Sequence, residues 1–149
     1  MRKIVALIFC LIVLNVVFDI YSIEATTLAD ARVESVNVVS VLPPQVAAKM
    51  CFYFRNPTFV PVYVKRLIVE SYTGAVYLFH GETQNIEIPP QSLMPVCLDL
   101  TFNTAAVVGC ALKHCIVNVS MTVVYDVKLF NMLSVWSITK HYHSITTFG

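Results

Sequence analysis

Four cysteines carry the most reactive chemistry in this sequence. Cys51, Cys97, Cys110 and Cys115 all lie beyond the first 25 residues. Thiols can join as disulfides, stay reduced as small apolar groups, or bind a soft metal as thiolates. Four cysteines allow three complete pairings. A metal would draw on Cys110, His114 and Cys115, with His141 and His143 two residues apart on one face of a strand. Zinc asks for four such ligands in a tetrahedron, and this spacing matches no knuckle or finger, so no metal or other cofactor is expected. The fifth cysteine, Cys10, sits in an apolar run and reads as an inert hydrophobe.

Enzymatic signatures are missing. There is no Gly-x-Ser-x-Gly, no phosphate loop and no His-Glu-x-x-His. Glu82 and Glu87 read as solvated carboxylates beside a loop. The chain is therefore expected not to be an enzyme, and no small-molecule substrate suggests itself. Asn118-Val119-Ser120 is a glycosylation sequon, here in the middle of an apolar, strand-like run.

The N-terminus positions everything else. Arg2 and Lys3 precede Ile4 to Ile23, which only Asn15, Asp19 and Ser22 interrupt. Twenty helical residues span about 30 Å, the hydrocarbon thickness of a bilayer. Cations ahead of the run keep the N-terminal tip cytoplasmic and send the remainder across. Residues 1–25 are thus a membrane anchor or a signal peptide. A signal peptide's apolar region is about 7–15 residues, a length that Ile4 to Leu14 also meets. Either way residues 26–149 are expected outside the cytoplasm: single-pass and tethered if the segment stays, secreted if it is cleaved.

Residues 26–149 suit one domain with one core. The chain is 57% hydrophobic and only 13% charged, about half the usual charged fraction. Beyond residue 25 it holds eight of its ten Lys/Arg and seven of its nine Asp/Glu. So few charges fit either a Val-rich sandwich with a Ser/Thr/Asn surface or a face covered by lipid, another protein or a second copy. The net charge of +1, with no basic cluster after Lys3, excludes a nucleic-acid partner.

Period-two alternation between turn residues predicts antiparallel strands. They run over Ala31 to Val41, Val46 to Arg55, Pro61 to Tyr72, Ala75 to Gly81 and Gln91 to Phe102, with Ile86 to Ile88 a short separate piece. A last pair, Ile116 to Tyr125 and Lys128 to His143, turns near Asp126 or at Asn131-Met132. Pro43-Pro44 closes the first strand. Lys49 and Arg55 mark a wet face, placing Met50, Phe52 and Phe54 inward; Met94, Val96, Leu98, Leu100 and Phe102 point inward from the later strand. Adjacent Lys65 and Arg66 predict a bulge or a strand edge. Asn103 to Cys115 predicts a short helix with Thr104 as N-cap. The expected fold is all-β with one short helix: an immunoglobulin- or fibronectin type III-like sandwich behind an N-terminal transmembrane helix.

A strand ending Phe54-Arg55-Asn56-Pro57, then Pro61-Val62-Tyr63-Val64, then Ile88-Pro89-Pro90-Gln91-Ser92 before another apolar strand, is similar to the water-stress and hypersensitive-response (WHy) domain. That domain belongs to the LEA14-like late-embryogenesis-abundant proteins. The similarity runs from about Val46 to Phe102. The family's glycine-rich closing hairpin is replaced here by Asp126 to Leu133. The resemblance implies a fibronectin-like sandwich, often behind a membrane segment, linked to desiccation or stress protection, with no catalytic residues to transfer. In a fibronectin-like order the second and fifth strands are neighbours. Alternation puts Cys51 and Cys97 on their outer face, so the expected pairs are Cys51–Cys97 and Cys110–Cys115. The functional expectation is a membrane-anchored, non-catalytic domain contacting membranes, proteins or envelope surfaces. The alternative is a secreted subunit of a cell-surface filament or envelope layer, since open strand edges recruit further strands.

Overall fold

The computed structural model describes residues 1–37, 45–130 and 132–147. An apolar helix, α1 (Arg2–Ala25), precedes seven strands: β1 (Thr27–Asn37), β2 (Gln45–Asn56), β3 (Val62–Thr73), β4 (Val76–Ile88), β5 (Ser92–Asn103), β6 (Ile116–Leu129) and β7 (Leu133–Thr147). A second helix, α2 (Thr104–Lys113), links β5 to β6. The region of Pro43-Pro44 and Val41 lies outside the described residues.

All pairings are antiparallel, in the order β1-β2-β5-β4-β3-β6-β7. The sheet folds on itself at β4 and β5, which pair only at Phe79–Phe102, His80–Thr101 and Gly81–Leu100. β1-β2-β5 thereby faces β4-β3-β6-β7, and both halves feed one core. Phe52, Phe54 and Leu98 come from one side, and Leu67, Val123 and Tyr125 from the other. This is the all-β sandwich with a short helix that the alternation predicts. Met50, Met94 and Phe102 pack at its margin, half-buried.

Two local predictions need correction. Gly81 does not end a strand: β4 runs unbroken from Val76 to Ile88, and Ile86 to Ile88 is its end. The glycine is there because β4 presses onto β5. A Cβ at position 81 would collide with the Leu100 and Leu98 side chains and sit 3.0 Å from the Asp99 carbonyl oxygen. Gly81→Ala should therefore cost about 1–3 kcal/mol as overpacking, read as a fall in the urea midpoint. An unchanged midpoint would mean that the two halves are not pinned together there. The α2 cap is Asn103, not Thr104. Its Oδ1 accepts from the backbone N–H of Ala106 at 3.3 Å, three residues into the helix. Of the two turn positions expected for the last hairpin, the later one holds: β6 ends at Leu129, β7 begins at Leu133, the Met132 N–H donates to the Leu129 carbonyl at 3.1 Å, and Asp126 lies within β6. The bulge expected at Lys65-Arg66 is present as a register shift between Val64 and Arg66 opposite β6.

Candidate functional site at the helix-docking end

The motif residues gather at the end of the sandwich where α1 arrives. Asn56 closes β2 with its side chain fully buried. Its Nδ2 donates to the Val60 carbonyl at 2.8 Å and reaches the Ile88 and Pro89 carbonyls at 3.4 and 3.3 Å. Its Oδ1 accepts from the Thr58 backbone N–H at 3.0 Å and the Thr58 hydroxyl at 2.6 Å. One amide thus ties the 57–61 loop to the end of β4. A neighbouring backbone bond, Gln91 N–H to Thr58 carbonyl at 2.9 Å, and the Ser92 hydroxyl on the Pro89 carbonyl at 2.6 Å complete the knot. Val62, Val64 and Ile88 point into the core, whereas Pro57, Pro89 and Pro90 are exposed turn residues and Pro61 is half-buried. The prolines suit turns because φ is preset and no N–H is left over.

The knot also holds α1. Thr58 Oγ1 lies 3.0 Å from Ser22 Oγ, which itself donates to the Phe18 carbonyl at 2.8 Å. The next residue, Ile23, is buried in the core, with Ile20 and Val16 packed against it. Asn15 Oδ1 accepts from the Phe130 backbone N–H at the β6–β7 turn, at 2.9 Å. Asp19 is buried between these contacts. The Lys128 backbone N–H faces it, but neither carboxylate oxygen has a well-formed hydrogen bond among the described residues. Lys140 Nζ closes the seat, 3.3 Å from Glu24 Oε2 and 3.4 Å from the Ile23 carbonyl.

Asn15, Asp19 and Ser22 stand at i, i+4 and i+7, a single helical face. Read only as interruptions of an apolar run they signify nothing; read by helical period they mark the stripe that meets the domain. The other faces are bare: Leu7, Phe9, Leu14 and Phe18 are all exposed. Among the described residues, α1 is the one helix long and apolar enough to cross a membrane. Beside it an open groove of about 460 Å³ is lined by Phe18, Tyr21, Ser22, Pro57, Thr58 and Phe59.

The cysteines lie elsewhere. Cys51 and Cys97 are in-register partners on β2 and β5, joined as a disulfide with Cα atoms 4.1 Å apart. They alternate with core residues and so face outward, yet Cys51 is fully covered. Cys110 and Cys115 are joined across the end of α2, Cα atoms 5.2 Å apart, leaving His114 without thiolate neighbours for a metal. His141 approaches Thr122 Oγ1 at 3.2 Å. Glu82 and Glu87 stand at separate register positions on β4, opposite Ile68 and Tyr63. Arg66 bonds the Glu82 carboxylate and holds it below the usual range. Asn118 is half-buried on β6, opposite Tyr72 and Ile145.

Tyr125 lies under the seat of α1, with Lys140 Nζ 6.0 Å from its ring centroid. Its hydroxyl is buried without a well-formed hydrogen bond among the described residues, although the Tyr142 hydroxyl is close. Burial, with Tyr142 second, pushes the phenol well above its ordinary range. The folded state keeps this group neutral, while an unfolded tyrosine ionises near about pH 10. Its contribution is therefore complete below about pH 10 and lost as pH rises further. Tyr125→Phe should change stability by no more than about 1 kcal/mol at neutral pH and flatten the alkaline loss. Urea midpoints at neutral and strongly alkaline pH test this; parallel curves for the two proteins would contradict it.

The sequence matches no known family model and no curated protein. Among solved structures, the crystal structure of a protein from Archaeoglobus fulgidus is similar over 83% of this chain and 98% of that one, with TM-score 0.56 and 15% identity. That likeness shows a shared fold. A β-glucuronidase of glycoside hydrolase family 2 aligns with 83% of this chain but only 11% of its own, at TM-score 0.42 and 12% identity. The solution structure of a putative late embryogenesis abundant protein aligns with 99% of this chain and 86% of its own, at TM-score 0.34 and 12% identity. Overlaps this loose do not bear on function.

Proposed function

We propose that this protein is a membrane-anchored, non-catalytic LEA14-like domain held outside the cytoplasm, with a stress-protective or surface-binding role. The observation that carries the reading is the seat of α1. A signal peptide destined for removal needs no partners in the mature domain, but here Ile23 is buried in the core, Ile20 packs against it, and Ser22 and Asn15 bond to the 57–61 loop and the β6–β7 turn. Arg2 and Lys3 ahead of the span favour a cytoplasmic tip. The joint spacing of Asn56-Pro57, Pro61-Val62 and Pro89-Pro90-Gln91-Ser92 supports the LEA14-like assignment, and the absence of any catalytic motif supports a binding role.

Drying and rehydrating phosphatidylcholine vesicles that carry the full-length protein tests the role. Retention of an entrapped dye should exceed that of vesicles carrying residues 1–25 alone. Equal leakage, with no protection of a co-dried enzyme, would remove the protective function. One observation favours a second reading, a cell-surface filament subunit: β7 is an edge strand with Leu133, Val135, Trp136 and Ile145 exposed, and such edges add strands from neighbours. Light scattering separates the two, because a filament subunit grows with concentration and a tethered domain keeps one small size.

A further inference from the structure

We propose that the β6–β7 turn is itself a membrane-inserting element, entering the outer leaflet beside α1 so that the domain sits in the lipid surface rather than above it. The inference rests on the reading of α1 as a retained span. It begins with helix length. The Asn15–Phe130 bond fixes the turn at the middle of α1. Asn15 is eight residues before Ile23, about 12 Å along the axis. Ile4 to Leu14, the part of α1 free of the domain, is about 16 Å long, against about 30 Å of hydrocarbon. With the domain docked as it is, α1 cannot cross the bilayer unless the turn goes in with it.

The composition of the turn fits that position. Phe130 is 50% exposed, Met132 81%, Leu133 62% and Trp136 67%. No charged residue occurs between Lys128 and Lys140. The Lys128 ammonium is folded back over the Tyr63 ring, 4.1 Å from its centroid. Two N–H groups that lipid would leave unsatisfied are covered: Phe130 by Asn15 and Met132 by Leu129. The same arrangement accounts for Asn15, a polar residue at mid-span whose side chain is used by the turn. The ion pair of half-buried Lys140 with exposed Glu24 marks the level of the water boundary. Phe59, 82% exposed on the loop bound to Ser22, stands near that level with Tyr21, where aromatic residues favour the headgroup zone. The unpaired edge of β7 limits the depth, since open backbone groups are costly in hydrocarbon. Only the turn is immersed, and Trp136 lies at the interface.

Trp136 is the single tryptophan of the chain, so native fluorescence reports its surroundings. Full-length protein is reconstituted in phosphatidylcholine vesicles and floated on a density gradient. Acyl-chain-brominated lipid is expected to quench the larger part of Trp136 emission, while aqueous iodide leaves it nearly unchanged. In a Trp136→Phe background, Met132→Trp should be quenched by bromolipid more strongly than Trp136. Leu112→Trp, at a site of similar exposure (78%) on α2 at the opposite end of the sandwich, should be quenched by iodide alone. Protein that floats with the vesicles but whose Trp136 and Met132→Trp emission answers only to iodide overturns the inference and leaves the anchor standing. Protein that fails to float overturns both.

Discussion

Asn56→Ala should lower the unfolding free energy of the full-length protein in detergent by about 3–4 kcal/mol, among the larger effects a single substitution produces. The side chain is fully buried and serves as acceptor for the Thr58 N–H and hydroxyl and as donor to the Val60 carbonyl. Truncation leaves those groups facing a dry cavity, and each buried polar group without a partner costs about 1–3 kcal/mol. Asn56→Asp separates bonding from shape. It keeps the acceptor for Thr58 but turns a carboxylate oxygen toward the Val60, Ile88 and Pro89 carbonyls, so it should be no better than alanine. Ser92→Ala, which removes one exposed bond to the Pro89 carbonyl, should cost no more than about 1 kcal/mol. The effect should also reach α1. With Thr58 loosened, the Ser22 contact weakens, and protease cleavage between residues 25 and 30 should speed up. Equal urea midpoints for wild type and Asn56→Ala would show that the buried amide is not what closes this end of the sandwich.

The second large effect belongs to the Cys51–Cys97 bridge. It spans 46 residues of sequence, and closing a loop of that length stabilises by about 4 kcal/mol in the chain-entropy model. Replacing both cysteines with alanine should remove most of that amount. The Cys110–Cys115 bridge spans only 5 residues and should be worth about 2 kcal/mol on the same reasoning. The ranking follows from loop length alone, so it discriminates. If the double variant at 110 and 115 proves the more damaging, the small cluster of Cys110 with Leu78 and Val117 matters more than the closed loop. Both comparisons should be made in Cys10→Ser protein, because Cys10 is a free, exposed thiol that could exchange.

The strands were legible because burial alternates with charge. Lys49 and Arg55 on one face of β2 and Asp99 on β5 leave Phe52, Phe54, Val96, Leu98 and Leu100 only one direction to point, and all five are buried. Features set by contact between distant segments were not legible. Gly81 resembles a strand terminator because glycine usually weakens a strand; only the approach of Leu100 and Leu98 gives its reason. Asn103 and Thr104 are both good caps by type, and the choice between them depends on where the last ladder bond of β5 falls. The docking stripe of α1 was present in the sequence as the spacing of Asn15, Asp19 and Ser22. Its partners are the Phe130 N–H and Thr58, which lie far along the chain and have no signature of their own.

The account turns on whether α1 stays with the domain it docks against. The most direct measurement is the intact mass of the protein recovered from membranes washed with alkaline carbonate. The account predicts a membrane-retained species whose mass includes residues 2–25, with α1 protected from protease where it meets the domain. A mature species lacking α1 and released by the wash would contradict it, and the secreted-subunit reading would then take its place.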